Sequence, residues 1–482
     1  MEVLFRRISS RLVPKVILTF RILIRLAREL LFINLGKVKL FAFRKGFLQG
    51  FFRLGTPSIR SWHGAFSSLL FLLSIFPSSI LFPSPACAAP DPLFLRLGLL
   101  RAQDRVTLSS EGGMILRGGD REILVFPSME ILFSPERKEE SAVGVGRLFS
   151  NENPRRIPAE RFQDSWLVHS LDEKPLLVNG IPYRGNVLVR PDGRDSEPET
   201  ASDTGLTVVN IVEIEDYLRG VVPNEIGFLR PEHLAAIEAQ AIAARTYAIR
   251  NLGRHSALGF DLFADHRDQV YHGLRSEHPL SDSAVVLTAD SILVIDSAPA
   301  EIYYHSTCGG RTSAKGDVWG GTTPVHLRGV SDVLGDTFAC VASKYFRWRE
   351  RYPRSYLGKI LGRLPRGFEV FGWDTAGRIE ALVIHFADAD SLIIGDTIRK
   401  VLRRPGGGWL RSTAFQFHYS PSGLELEGKG WGHGVGLCQM GAIGRARAGW
   451  NAEEILLHYF PGTRLEYRTS RSRSSERSRP AP

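Results

Sequence analysis

From Glu232 to Arg250 the chain runs without a glycine or a proline, and Ala, Leu, Glu, Gln and Arg dominate. All of these are strong helix formers. Pro231 stands just ahead, where a first helical turn needs no N–H. Leu234, Ile237, Ala241 and Ala244 recur at helical spacing and are expected to face a core. So many alanines let another backbone approach closely, as a helix buried beside a cleft requires. Glu238 and Arg245 lie seven apart and share a face. Upstream, the β-branched stretch Thr207–Ile214 reads as a strand leading into this segment. Val221–Glu225 then reads as a strand end and a turn, with the lone carboxylate of Glu225 ahead of the helix.

The flanks are mixed. Leu95–Arg117 alternates apolar and polar residues around glycine turns, and Pro175–Arg190 reads as strand, Asn-Gly turn and strand. Residues 135–163 and 191–205 are polar and read as irregular. Phe260–His272 is aromatic and polar, a loop expected to approach the site. Beyond it, Tyr356–Leu364 and Thr397–Arg403 read as short helices. Residues 368–387 and 390–394 read as strands, and 415–419 with 423–427 as a hairpin. The fold class is therefore α+β. The expected divisions are a basic extension (1–60), an export segment (61–89), a β-rich region (90–205), a domain around the alanine-rich helix (206–465) and a Ser/Arg tail (466–482).

Net charge is +10, but its location matters more than its size. Thirteen Lys/Arg fall in residues 1–60 against Glu2 and Glu29, and five fall in 466–482 against two Glu. Residues 89–465 keep 43 basic and 47 acidic side chains, so the folded body lacks the basic surface of a nucleic-acid binder. The basic excess lies upstream of the apolar run Phe66–Phe82, which is followed by Ala86-Cys87-Ala88. That order is expected of an export signal, with a retained membrane anchor as the alternative. It points to the periplasm or cell surface, and the cationic segment can also rest on a membrane. Past Cys87 only Cys308, Cys340 and Cys438 remain, which suits an oxidising compartment.

Three blocks carry a family resemblance. Glu215–Glu225 reads EDYLRGVVPNE and Ala239–Ala248 reads AQAIAARTYA; Tyr304–Thr312 reads YHSTCGGRT; Gly430–Ala442 reads GWGHGVGLCQMGA, trailed by HYFPGT at His458–Thr463. Together, in this order, they resemble the SpoIID/LytB family over roughly residues 95–465. The resemblance implies a SpoIID-type catalytic part with the alanine-rich helix lining a cleft. It implies an exported lytic transglycosylase that acts on peptidoglycan glycan strands, with Glu225 as its single general acid/base and no cofactor. It also implies an alternative, a non-catalytic cell-wall module that enhances an amidase. Arg245 and Tyr247 match positions beside the cleft, which implies substrate contact or orientation of Glu225; a salt bridge and a core aromatic are the plainer readings.

Other candidates come from the residues themselves. His305, Ser306 and Thr307 leave a strand for the flexible Gly309-Gly310, a common site geometry. Trp431, His433 and Gln439 can offer an aromatic face and hydrogen bonds to sugar or acetamido groups; a glycine-rich turn that only packs is the alternative. The block is no phosphate loop, since no Lys-Ser/Thr follows its glycines. His305-x-x-Cys308 is half of a structural zinc site that Cys340, Cys438 or His433 can complete. A Cys308–Cys340 disulfide closing the loop is the expectation preferred here.

Overall fold

The computed structural model describes residues 91–468, except 120, 128, 139–140, 151–164 and 193–204. The basic extension, the export segment with Cys87, and the tail from residue 469 lie outside the described residues. Among the described residues no helix is long and apolar enough to cross a membrane.

Alternation builds the β-rich half. Leu95 and Leu97, Val106 and Leu108, Met114 and Leu116, Trp166 and Val168, Val187 and Val189 are all buried at a spacing of two. A seven-stranded sheet runs in the order 262–263, 94–103, 206–213, 186–191, 166–170, 114–118 and 121–125. Its first pair is parallel and the others are antiparallel. A five-stranded sheet orders 141–150, 129–138, 106–109, 176–178 and 181–183. The Asn-Gly hairpin forms as read: Asn179 and Gly180 both take positive φ between strands 176–178 and 181–183. Two expectations change. The stretch read as irregular from residue 135 includes most of a long hairpin, 129–138 with 141–150. The division at 205/206 crosses a single sheet, because strand 206–213 pairs with 94–103 and 186–191, and both regions share one core.

Eight α-helices stand among the described residues: α1 Ile214–Ile226, α2 Leu234–Arg250, α3 Pro279–Leu287, α4 Lys315–Trp319, α5 Arg354–Leu361, α6 Thr397–Val401, α7 Gln439–Arg447 and α8 Ala452–Tyr459. The first was not expected, since Gly220, Val221-Val222 and Pro223 read as a strand end. Its buried residues, Ile214, Tyr217, Leu218, Val221, Val222 and Ile226, nevertheless follow helical spacing. The Glu213 carboxylate caps its start by accepting from the N–H of Glu215 (3.1 Å) and Asp216 (3.4 Å). Gly220 lets Tyr271 lie against the helix, since a Cβ there would stand 2.5 Å from its ring.

Helix α2 is the buried centre of the helical layer. It packs against α1, α3, α7, α8 and strand 291–295, and every residue from Ala239 to Ala248 is buried. Its alanines make that possible, as expected. It is a central pillar, and its last turn, at Tyr247 and Arg250 with Asn251 beyond, lines a cavity of about 320 Å³.

Residues 348–428 form an inserted subdomain between the second and third motif blocks. Two three-stranded antiparallel sheets (348–353, 423–428, 415–420; and 367–373, 379–385, 390–394) enclose their own core. Leu357, Ile398, Leu402 and Leu410 are its most deeply buried members.

Candidate functional site

Glu225 sits in the last turn of α1, not in a turn ahead of α2. Gly227 follows at φ +85°, and its N–H returns to the Pro223 carbonyl at 3.0 Å, which ends the helix. Two donors meet the Glu225 carboxylate: the Val270 N–H at 3.0 Å on Oε1, and the Tyr304 hydroxyl. Burial pushes the carboxyl up to about 7, against the pull of those two hydrogen bonds. No second carboxylate is among the groups that shift it.

Tyr304 is held from behind. Its oxygen accepts from Gln269 Nε2 at 2.9 Å, and Gln269 Oε1 accepts from the Tyr217 hydroxyl at 3.0 Å. Every donor in this chain points towards Glu225, so each bond polarises the next. Gln269 and Tyr217 are fully buried. The loop 260–272 thus reaches the site as expected, but Gln269, Val270 and Tyr304 were not singled out from the sequence. Tyr304 stood first in its matched block, and its polar neighbours drew attention away from it.

The third block holds Tyr304 in place. Residues 431–438 run along 303–308: Thr307 and Trp431 exchange backbone hydrogen bonds at 3.0 and 2.8 Å, and Tyr304–His305 pairs in parallel with Leu437–Cys438. Here the glycines serve close packing. A Cβ on Gly436 would stand 2.2 Å from the Tyr303 carbonyl, and one on Gly430 would stand 2.7 Å from that of Thr307. His433 accepts at Nδ1 from the Val435 N–H (3.1 Å), so Nε2 carries the proton and donates to the Tyr304 carbonyl (2.9 Å). Burial holds this imidazole down to about 4, so it is neutral at pH 7.

The remaining candidates divide. His305 is buried, places Nδ1 against the Val435 carbonyl (3.2 Å) and is also held neutral by burial. Thr307 is fully buried against the Ser343 hydroxyl (2.7 Å). Ser306 is partly exposed, and its carbonyl takes the Met440 N–H (2.9 Å). Trp431 is exposed and lies edge-on to Tyr345 with ring centroids 4.2 Å apart. Gln439 touches Gln240 of α2 (3.4 Å).

Tyr247 donates to Asp268 (3.0 Å) at the edge of the small cavity beside α2. Arg245 differs from its implied role: it is fully buried and grips Glu215 through Nε (2.8 Å) and Nη2 (2.6 Å). It therefore anchors α1 to α2 and has no face for substrate. The preferred disulfide is also absent: Cys308 and Cys340 are free thiols with sulfurs 3.5 Å apart, and Cys438 and Asp332 join them. His305 is not part of that group.

A family model described as stage II sporulation protein, SpoIID, matches residues 202–295, which contain α1, Glu225, α2 and the 260–272 loop. Stage II sporulation protein D of Bacillus amyloliquefaciens is 29% identical over 323 residues, covering 60% of this chain and 87% of that one. Residues 202–295 of this chain thus carry a SpoIID family domain. An uncharacterised protein of Brachyspira hyodysenteriae is likewise 29% identical over 286 residues, covering 59% of this chain and 72% of its own length. The Bacillus subtilis protein named amidase enhancer is 27% identical over 298 residues, covering 52% of this chain but 40% of its own. A second model, a domain of unknown function (DUF8618), matches residues 325–436 and so spans the inserted subdomain.

Proposed function

We propose that this chain is an exported lytic transglycosylase that cleaves peptidoglycan glycan strands with Glu225 as its only acid/base. The observation that carries the reading is Glu225 itself, held near pH 7 by burial, gripped by Tyr304 and the Val270 N–H, with no acidic partner among the groups that shift it. Hydrolytic glycosidases ordinarily use two carboxylates, one as acid and one as base or nucleophile. A lone carboxyl suffices when the sugar's own C6 hydroxyl replaces water. Glu225 protonates the departing glycosidic oxygen, the C6 hydroxyl closes on C1, and Glu225 takes up that hydroxyl's proton to leave a 1,6-anhydro end. A group poised near neutral pH serves both halves of the cycle.

The decisive experiment incubates the protein with isolated glycan strands, with and without stem peptides, and reads the products by mass spectrometry. Fragments one water lighter than hydrolysis products are expected. Fragments that retain the water would sink the proposal and direct the search to a second carboxylate.

Two observations favour a second reading, a glycan-binding enhancer of a cell-wall amidase. One is the similarity to the protein named amidase enhancer. The other is a groove of about 810 Å³ at the inserted subdomain, lined by Arg347, Trp348, Trp373, Phe415 and Lys429. Glycan retention without cleavage, together with stimulation of an added amidase, would establish that reading in its place.

Glu225 must begin protonated, so cleavage is expected to hold below about pH 7 and to fall as pH rises through that value. Tyr304→Phe removes a bond that favours the ionised carboxylate, which lets the carboxyl rise further. The alkaline limb of the pH profile should therefore move up in the variant; a limb that stays in place would remove Tyr304 from the acid's control. Stability carries the same signature. Between the ordinary value of 4.5 and about 7 the folded chain keeps a proton that the unfolded chain has lost. Its contribution to stability thus declines as pH rises through that window and is level outside it. Melting curves of the wild type and Glu225→Gln should differ in slope only there.

A further inference from the structure

Four side chains from three separate segments converge beneath the Tyr304 strand. Cys308 follows that strand. Asp332 and Cys340 bracket the small hairpin of 333–334 with 337–338, and Cys438 stands at the N-cap of α7. One ligand atom from each lies within 4.8 Å of all the others, and all four residues are essentially inaccessible to solvent.

The spacing separates the ways of using these thiols. A disulfide needs sulfurs at about 2.05 Å. Two thiolates on one tetrahedral zinc, each about 2.3 Å from the ion, stand about 3.8 Å apart. The Cys308–Cys340 separation of 3.5 Å lies near the second figure.

Backbone N–H groups donate to two of the sulfurs, while Cys438 Sγ also faces the Ser306 carbonyl at 3.8 Å. The Cys308 and Gly441 N–H groups donate to Cys438 Sγ at 3.2 and 3.3 Å, and the Gly310 N–H donates to Cys308 Sγ at 3.4 Å. Asp332 is fixed by the Cys340 N–H on Oδ2 (3.0 Å) and the Tyr459 hydroxyl on Oδ1 (2.6 Å). Each carboxylate oxygen still has a lone pair free. Arg445, 3.7 Å from Asp332, is the cation paired with the group. As three thiolates and a carboxylate the group would carry a negative charge that a buried site holds only with a counter-ion, and a dication supplies it. Three soft sulfurs and one oxygen suit zinc and disfavour magnesium or calcium. Four protein ligands make the shell closed, as in structural sites and unlike catalytic ones.

We propose that Cys308, Asp332, Cys340 and Cys438 bind one structural zinc ion that ties the loop after Tyr304 to both ends of the inserted subdomain. Cys340 precedes the insertion and Cys438 follows it, so the ion clamps its base. Cys308 lies four residues past Tyr304, which couples the clamp to the hydroxyl that grips Glu225. The proposal stands apart from the transglycosylase reading, because its measurements do not involve glycan cleavage.

The test is the metal content of the full-length protein, purified without chelator and measured by elemental mass spectrometry. One zinc per chain is expected, and cobalt exchanged into the protein should show the visible bands of a tetrahedral thiolate complex. Cys308→Ser, Cys340→Ser and Cys438→Ser should each lose most of the zinc, whereas His305→Ala should keep all of it. If the cysteine variants do not fold, a strong chelator on the wild type replaces them, and three thiols should become reactive in step with zinc release. Metal-free protein, zinc retained by soluble cysteine variants, or a Cys308–Cys340 disulfide in the peptide map would each overturn the proposal.

Discussion

Glu225→Gln is expected to lower glycan cleavage by roughly 10²–10⁴-fold, the range that positioned acid–base catalysis contributes. Glutamine keeps the shape, and its amide oxygen can still accept from the Val270 N–H, so the fold and that loop contact should persist. What it lacks is a proton to give. Turnover measured on isolated strands should collapse while strand binding, measured separately, stays close to wild type. That split identifies an acid that acts on the reacting bond. The variant should also unfold no more easily than wild type at pH 8, because it no longer carries a buried carboxylate forced to ionise. A variant that retains activity within threefold would exclude Glu225 as the acid and leave the chain to the binding-module reading.

The sequence makes much of the scaffold legible. The alternating strands, the Asn-Gly hairpin and the glycine-free run of α2 carry local patterns that tertiary packing does not override. Helix α1 shows where such reading stops. Val221, Val222 and Pro223 argue locally for an extended chain, yet Ile214, Tyr217, Leu218, Val221 and Val222 bury one helical stripe against the core, and the stripe wins. Attention to spacing over residue type would have found it and placed Glu225 correctly. The strands of the insertion are visible one by one. Their closure around a private core is not, since a two-residue period gives the faces of a strand but not its partner.

Pairing over distance accounts for the other misses. Nothing local links Tyr304 to Gln269, or Cys308 to Asp332 and Cys438; each contact is made by the fold. His433 was legible as important, but its ring holds the backbone of Tyr304. Many polar residues of the motif blocks therefore secure the loops around Glu225.

Arg245 extends that distinction to stability. It projects from the middle of α2, fully buried, with Glu215 on two of its nitrogens and the carbonyls of Ser291 (3.1 Å) and Val285 (3.3 Å) on its remaining N–H groups. One guanidinium thereby joins the first turn of α1, the end of α3 and the start of strand 291–295. Arg245→Met fits an unbranched apolar chain into the space but leaves the Glu215 carboxylate, only 21% exposed, without its cation. Breaking a buried pair from one side costs about 3–5 kcal/mol. That is a large share of the roughly 5–15 kcal/mol that holds a typical domain together. Urea denaturation should show the loss, and added salt should change it little, because screening acts weakly on a buried pair. Converting Glu215→Leu in the same chain should recover most of it, since neither charge is then stranded. A cost under 1 kcal/mol, with cleavage abolished in the folded variant, would return Arg245 to the substrate. The expected result, a large destabilisation that the second substitution relieves, fixes it as the bolt between α2 and the helix that carries Glu225.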